Sequence, residues 1–446
     1  ESLEQSLGPD HPLVGHYLFG IHHLQEILGD PVAGEESLWR SIAIFEHYPE
    51  VGLSTHSYGA LGYLRHLQGD LIAARQLYEK ALGIAERTFG PGCIEAATLL
   101  NHLGRLETEL GELDDARRHL EQGLEIAVSL YGPDGEHTAD HYITLSALHQ
   151  ATGELERAEE WARRACEIHE CMERPGTPGL DKAVRALGNA LREAGRYKEA
   201  REVLSQGFLV RQPGLEVPNH EVAENLIALT DLIVEMGGES EAIPIYEEAV
   251  SILERLYGRQ NPRAATTRLK IADVWARAGR WREAFDQALR AEVIGREHSR
   301  ILLTGLSERV ALQYAAARPS GLDRMLSLLI DRPESGSPEQ GVDALIRSRA
   351  LVLDEIADRR RALSFAAPMG AGRLMEDLTR SRKSLAYLTV QGPGAPDAVD
   401  SFQLALANAR RERDRAERTL AEADRRFRLR EQGKGVGLDE VLSLIH

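Results

Sequence analysis

The stretch that decides the fold is LLNHLGRLETELGELDDARRHLEQGLEIAVSLYG, residues 99–132. Its first half carries apolar residues at the spacing of a single stripe on an α-helix, namely Leu99, Leu100, Leu103, Leu106 and Leu110. Gly111 interrupts this stripe, and a second one runs from Leu113 through Ala116 to Leu124. Because glycine adopts the left-handed backbone that ends a helix, the stretch predicts a helix, a tight turn and a second helix.

The same pattern recurs along the chain with a period of 42 residues. Glycine stands at 69, 111, 153, 195, 237 and 279, and alanine stands at 74, 116, 158, 200, 242 and 284. A third register is Leu61, Leu103, Leu145, Leu187, Leu229 and Ile271, and a fourth, of small residues, is Ala81, Gly123, Ala165, Gly207, Ala249 and Ala291. Small residues let two helices cross closely. A helix pair cannot bury both of its faces alone, so repeated pairs are expected to stack into a solenoid.

Composition and charge narrow the class of protein. The chain has 446 residues, of which 43% are hydrophobic, and its net charge is −17. Residues 1–295 carry a net −20 and residues 296–446 a net +3. The acidic balance of the first part argues against nucleic acid as a partner. Three cysteines fit a reducing compartment. With no apolar run long enough to span a membrane, these features predict a cytoplasmic protein.

The quoted stretch resembles a tetratricopeptide repeat (TPR). The motif positions are Leu103, Gly104, Gly111, Ala116 and Leu120, with Gly123 one turn further on. The 42-residue spacing and linkers such as Gly132-Pro133 resemble the longer TPR variant of kinesin light chains. The resemblance implies an all-α fold, a right-handed TPR superhelix in which the first helix of each pair lines a concave groove.

In that family the groove binds a protein or an extended peptide. Carried over position by position, the groove residues of this sequence are Tyr63, Asn101, Arg105, Arg185, Asn189, Arg192, Asp231 and Asp273. Polar side chains of this kind can hydrogen-bond a peptide backbone and recognise its charges. Arg185, Asn189 and Arg192 share a helix face and would suit an acidic segment. Any solvated helix face carries similar residues, so the assignment is a hypothesis.

Beyond residue 295 the period ends, although the sequence remains helical. We divide the chain into a degenerate TPR-like unit, six repeats, a helical bridge, a long antiparallel helical hairpin, and a linker that starts a further domain; these are residues 1–54, 55–295, 296–369, 370–432 and 433–446. The phrases LSERVALQYAAARPSGLDRMLSLL (306–329), ALIRSRALVLDEIADRRR (344–361) and GVGLDEVLSLI (435–445) resemble the bridge of bacterial TPR-CHAT proteins.

That second resemblance implies a regulatory N-terminal part of a caspase-like cysteine protease. The catalytic CHAT domain would follow residue 446 and would itself be a partner of the repeats. The alternative is a TPR adaptor without an enzyme, which assembles partners or oligomerises through its C-terminal helices.

Two short motifs resemble parts of catalytic or metal sites. His137 and His141 are four residues apart, but no glutamate follows His137 as a zinc protease requires, so a solvated first helical turn is expected. Cys166, His169 and Cys171 lie close in sequence, but Cys166 falls on an apolar register, which favours core packing. The sequence therefore predicts no catalytic constellation, no metal site and no cofactor.

Overall fold

A computed structural model describes residues 2–27, 30–171, 178–209, 219–303, 306–307, 309–311, 314, 320–349, 372–391 and 399–428. Within these ranges all regular secondary structure is helical. The chain separates into two compact units, Glu1–Ala291 and Glu292–His446. The predicted linker at 433–446 and the part of the predicted bridge at 350–369 lie outside the described residues.

The first unit begins with α1 (Ser2–Leu7), α2 (Pro12–Ile27) and α3 (Pro31–Phe45). Six helix pairs follow: α4 (Ser54–Gln68) and α5 (Leu71–Phe89), α6 (Ile94–Leu110) and α7 (Leu113–Tyr131), α8 (Glu136–Ala151) and α9 (Leu155–Cys171), α10 (Pro178–Glu193) and α11 (Tyr197–Leu209), α12 (His220–Glu235) and α13 (Glu239–Tyr257), α14 (Pro262–Arg277) and α15 (Trp281–Leu303). We call these pairs repeats 1 to 6. From α2 to α14, each helix packs on the next helix in chain order, as a solenoid requires.

The glycine register ends the first helix of every repeat. Gly111 has φ of 75°, and the five equivalent glycines have φ between 75° and 87°. An L-residue rarely adopts this left-handed conformation, so the turn depends on glycine. The predicted helix, turn and second helix are therefore confirmed.

The alanine register lies where the two helices of a repeat cross. The alanines at 74, 116, 158, 200, 242 and 284 are all 0% exposed. Four residues after this alanine, the second helix carries a side chain that packs against the first helix. Where this side chain is large, the first helix usually carries glycine at the contact. A Cβ added to Gly62 would come within 2.7 Å of the Tyr78 ring, and one added to Gly188 would come within 2.5 Å of Leu204.

Where the first helix carries a larger residue at this crossing, the second helix usually carries alanine. In the registers of Gly62 and Tyr78, repeat 3 carries Ser146 and Ala162, and repeat 6 carries Ala272 and Ala288; both Ala162 and Ala288 are fully buried. Thr230 with Tyr246 is the exception. Close packing of protein interiors leaves room for one large partner and not two, which explains this complementarity.

Successive repeats are also joined by ion pairs between residues 37 apart. Arg75 pairs with Glu112, Arg117 with Glu154 and Arg196 with Glu159, so the charges exchange places in the last pair. In each pair the lower-numbered residue lies in a second helix, and the higher-numbered residue lies just after the glycine turn of the next repeat.

Before repeat 1, α2 and α3 form a pair of their own. A Cβ at Gly15 would lie 2.8 Å from the Phe45 ring, so these helices also approach closely. Ser41 Oγ donates to the Gly15 carbonyl at 2.9 Å and lies 2.9 Å from Ser57 Oγ. This buried hydroxyl therefore connects α2, α3 and α4.

The second unit contains α16 (Gly321–Asp331), α17 (Pro338–Arg349), α18 (Gly372–Gln391) and α19 (Val399–Arg428) within the described residues. Glu292 accepts hydrogen bonds from the Leu322 amide at 3.0 Å and from Ser348 Oγ at 2.6 Å. The two long helices α18 and α19 pack on each other. Arg382 donates to Glu417 across them at 2.8 Å.

Candidate functional site

The first helices of successive repeats are linked at a recurrent separation of 39 residues. Pairs at this separation are Asn101–Asp140, Lys182–Glu221, Arg192–Asp231, Glu224–Arg263 and Asp231–Lys270. A residue 42 positions later occupies the same register, so one 39 positions later lies about one helical turn nearer the N-terminus of the next first helix. We call the surface formed by these residues, with Tyr63, Arg105, Arg185 and His220, the inner face.

Arg185 is held by two residues of the following repeat. Its Nη1 donates to Asn225 Oδ1 at 2.7 Å and lies 2.8 Å from Glu221 Oε2. Lys182 Nζ lies 3.7 Å from the same carboxylate. Burial opposes the charge on Glu221, yet its pKa is lowered because Arg185 and Lys182 favour the carboxylate. An acidic ligand segment would therefore have to displace Glu221.

Asp231 is a meeting point of repeats 4, 5 and 6. Tyr246 Oη donates to its carboxylate at 2.6 Å, and Lys270 Nζ donates to it at 2.6 Å. Arg192 Nη1 lies 3.9 Å away. Three predicted groove residues (Arg185, Arg192 and Asp231) thus belong to a network of opposite charges that fixes how the repeats stack.

Repeats 1 and 2 contribute an aromatic and cationic cluster. The rings of Tyr63 and His102 are 5.8 Å apart, and the rings of Tyr78 and His102 stack at 5.2 Å. Arg105 Cζ lies 5.1 Å from the centre of the Tyr63 ring, within the range of a cation–π contact. Burial, and secondarily Arg105, hold the pKa of His102 well below its ordinary value, so this imidazole is neutral at pH 7.

Charged residues of non-adjacent repeats influence each other along the inner face. Burial lowers the pKa of Lys182, but Tyr63 in repeat 1, Glu221 and Asp140 outweigh this effect and raise it overall. Arg105 in repeat 2 is likewise influenced by Glu221 in repeat 5. The first helices of successive repeats also pack directly on each other, α4 on α6, α6 on α8, α8 on α10 and α10 on α12, so they form one continuous surface. We use "the hollow" for the space that this surface faces.

Several buried polar atoms of the inner face have no hydrogen-bond partner among the described residues. They are Asn101 Oδ1, Arg105 Nε, Arg192 Nε and His220 Nδ1. Buried polar groups are normally paired with protein, water or ligand, and an unpaired one is destabilising. These atoms therefore mark places where water or a polar ligand would form hydrogen bonds.

The structure places the other predicted residues on the same helices. Asn189 and Asp273 are half-buried and share the 42-residue register of Asp231. Sequence reasoning missed His102, Lys182, Glu221, Glu224 and Lys270, which complete the network. The signal that would have found four of them is the step of 39 residues between opposite charges.

The histidine motif in α8 has a different role from the one expected. The expectation of a solvated turn is correct for His137, which is exposed, and wrong for His141, which is 2% exposed. His141 Nε2 lies 3.2 Å from the Ala97 carbonyl in the preceding repeat. A Cβ at Gly123 would lie 3.0 Å from the same nitrogen, so the small residue at 123 provides the space for this ring.

Within the cysteine motif of α9, Cys166 lies in the core, as expected, and the side chain of Cys171 lies outside the described residues. Cys166 is buried, and burial raises the pKa of its thiol to about 12. A thiol of this kind stays protonated at pH 7 and is a poor nucleophile.

Among the residues that the structure describes, no group of three or more histidine, cysteine, aspartate and glutamate side chains is arranged to hold a metal ion. Within the same ranges, no helix is long and apolar enough to cross a membrane.

Comparisons with known proteins identify the repeats. The family model named tetratricopeptide repeat matches residues 53–127 and 95–170. No curated protein matches the chain. The chain therefore contains tetratricopeptide repeats, and the predicted all-α TPR superhelix is confirmed.

Three solved structures are similar to this chain. The putative kinesin light chain of Podosopora anserina, with nearly identical TPR-like repeats, is 19% identical (TM-score 0.36) and covers 47% of this chain and 97% of its own. The Rap protein complexed with Competence and Sporulation Factor is 14% identical (TM-score 0.43; 66% and 81% covered). Aspartyl phosphate phosphatase F from Bacillus subtilis is 13% identical (TM-score 0.47; 66% and 73% covered).

Proposed function

We propose that the repeats are a cytoplasmic protein-recognition scaffold and that the hollow binds an extended polypeptide segment. The observation that carries this proposal is the set of buried, unpartnered polar atoms on the inner face at Asn101, Arg105 and Arg192. Two are N–H donors and one is a carbonyl acceptor. An extended backbone supplies an acceptor and a donor at every residue, so it can complement such a set without a particular side-chain sequence.

The charges of the inner face add a second requirement. Because Arg185, Arg192 and Asp231 are already partnered, a ligand with one excess charge would have to break an existing pair. Breaking a partly buried pair leaves an uncompensated charge, which is strongly unfavourable. A segment without long runs of like charge therefore suits the hollow better than a purely acidic one.

Binding through the inner face predicts a specific loss in two conservative variants. Peptides would be selected from a phage-displayed library of 12-residue sequences against the intact chain and measured by calorimetry. Arg105→Lys and Arg192→Lys keep the charge and remove the Nε–H donor, and each should weaken binding about five- to tenfold, about 1–1.4 kcal/mol.

The matched control is Arg118→Lys, in which an arginine that is 49% exposed on a second helix loses the same donor. Its affinity should equal that of the unmodified protein. Equal losses in all three variants, or selected peptides that bind all of them equally well, would contradict binding in the hollow.

We further propose that the chain is the regulatory N-terminal part of a bacterial TPR-CHAT caspase-like protease. Support comes from the phrases at 306–329, 344–361 and 435–445, which resemble that family's bridge. A regulatory role also agrees with the protonated, buried Cys166, which cannot serve as the nucleophile.

This proposal predicts what the gene encodes downstream. The reading frame should continue past residue 446 into a domain that contains one histidine and one cysteine in a caspase-like arrangement. The check is the genomic sequence, followed by loss of proteolysis when that cysteine is replaced by alanine. A frame that stops near residue 446 would overturn the proposal and favour the adaptor alternative.

A further inference from the structure

Repeat 1 and repeat 6 are joined by a direct hydrogen bond. The Asn261 side chain donates from Nδ2 to the backbone carbonyl of Leu67 at 3.0 Å, although the two residues are 194 positions apart. Asn261 precedes α14, and Leu67 lies in the last turn of α4. In a solenoid in which each repeat contacts only the repeats next to it, a bond between repeats 1 and 6 would not form. The six repeats therefore curve round until the last touches the first.

Asn261 uses both ends of its amide. Its Oδ1 accepts from the amides of Arg263 at 3.0 Å and Ala264 at 3.2 Å, which caps the start of α14. The side chain is buried, with 1% of its surface exposed. The remaining polar atom, Nδ2, is therefore fixed in direction by the cap and points to Leu67.

The Leu67 carbonyl needs a partner from outside its own helix. The last four carbonyls of an α-helix have no intrahelical donor. In α4 the turn supplies donors to two of them, because the Asp70 amide bonds the Arg65 carbonyl at 2.9 Å and the Gly69 amide bonds the His66 carbonyl at 2.9 Å. The Asn261 amide supplies a donor to the next carbonyl, at Leu67.

Opposite charges flank this bond. Glu109 occupies the register of Leu67 one repeat later, and Arg263 follows Asn261 by two residues. Surrounding protein raises the pKa of Glu109, but His66, Arg105 and Arg263 outweigh this effect and lower it to about 2. Glu109 is therefore ionised at neutral pH and lies 3.1 Å from His66 Nε2, while Arg263 pairs with Glu224.

We propose that the Asn261 amide is a clasp that closes the six repeats into a ring, and that breaking it separates repeat 6 from repeat 1 while each repeat stays folded. A solenoid holds its curvature by small rotations between neighbouring repeats, so loss of one closing bond releases the ends without unfolding the units. The inference goes beyond the proposed function, because it concerns the resting conformation whether or not a partner binds.

Asn261→Asp tests the clasp with little change to the helix cap. Aspartate is as good an N-cap as asparagine, but it has no donor for the Leu67 carbonyl. Spin labels would be attached to a ketone-bearing amino acid at the exposed positions Glu86 in α5 and Gln260 before α14. Pulsed electron resonance would then give the distance distribution between repeats 1 and 6 in the intact chain.

The unmodified protein should give one narrow distance. In Asn261→Asp the distribution should broaden and move outward by about 5 Å or more, which is the spacing needed to admit an extended chain. The matched control is Asn219→Asp, one period earlier, where the side chain caps α12 by accepting from the Val222 amide at 3.1 Å. This control should keep the narrow distance.

A second variant removes the effect of the added charge beside Glu109. Asn261→Ser keeps a capping oxygen, is neutral and is too short to reach Leu67, so it should give the same outward shift. Helix content by circular dichroism should be unchanged in all variants. An unchanged distance in Asn261→Ser, or equal shifts in the Asn219→Asp control, would overturn the clasp.

Discussion

Replacing Arg75 by methionine is expected to lower the free energy of unfolding by about 3–5 kcal/mol. Arg75 and Glu112 are 6% and 3% exposed, and the arginine contacts both carboxylate oxygens. Burial opposes the charge on Arg75, yet its pKa is raised because Glu112 and the neighbouring Glu107 stabilise the guanidinium. Removing one partner leaves a buried carboxylate without its compensating charge.

The equivalent pair one period later provides the control. Arg117 and Glu154 occupy the same registers but are 37% and 35% exposed, so Arg117→Met should change stability by less than about 1 kcal/mol. Denaturant unfolding with hydrogen exchange of α5 and α7 would measure both. The double variant Arg75→Met with Glu112→Leu should recover most of the loss, because an apolar pair replaces a buried ion pair well. Equal losses at Arg75 and Arg117 would contradict the dependence on burial.

The regular part of this fold was predictable because each repeat obeys the same local rules. Gly111 must be a glycine because its φ is positive, and Ala116 must be small because two helices cross there, so the glycine register marks the turn and the alanine register marks the crossing. Because these residues recur six times, the sequence predicts a solenoid even though the contacts between repeats are not known in advance. His141 was wrongly expected to be solvated because its burial depends on Gly123 in the preceding repeat.

The candidate site was predictable only in outline. The positions of Arg185, Arg192 and Asp231 follow from the helix register, but their partners depend on how far successive repeats rotate. The separation of 39 residues between opposite charges could have been read from the sequence. The bond from Asn261 to Leu67 could not, because it depends on the sum of five rotations, and a small change in each would separate the ends.

Within repeat 2, the match between Gly104 and Leu120 should produce a measurable coupling. Leu120 is fully buried, and Leu120→Ala is expected to lower the free energy of unfolding by about 2–5 kcal/mol through lost contacts and a cavity. A Cβ at Gly104 would overlap the Leu120 side chain, so Gly104→Ser should be destabilising by about 1–3 kcal/mol through overpacking. Gly83→Ser is the control, since a Cβ there meets nothing within 4 Å.

The double variant Gly104→Ser with Leu120→Ala recreates the pairing of repeat 3. There the same registers carry Ser146 and Ala162, and Ser146 donates to the Ala158 carbonyl at 2.8 Å. The corresponding carbonyl in repeat 2 belongs to Ala116 and lies 3.2 Å from the position of a Cβ at Gly104, so it is within reach of a serine hydroxyl. The double variant should therefore be more stable than the sum of the single losses predicts, by about 0.5–3 kcal/mol in a double-mutant cycle. Additive losses in denaturant unfolding would mean that the two positions do not share one packing site, and that the alternation of large and small residues between repeats has another cause.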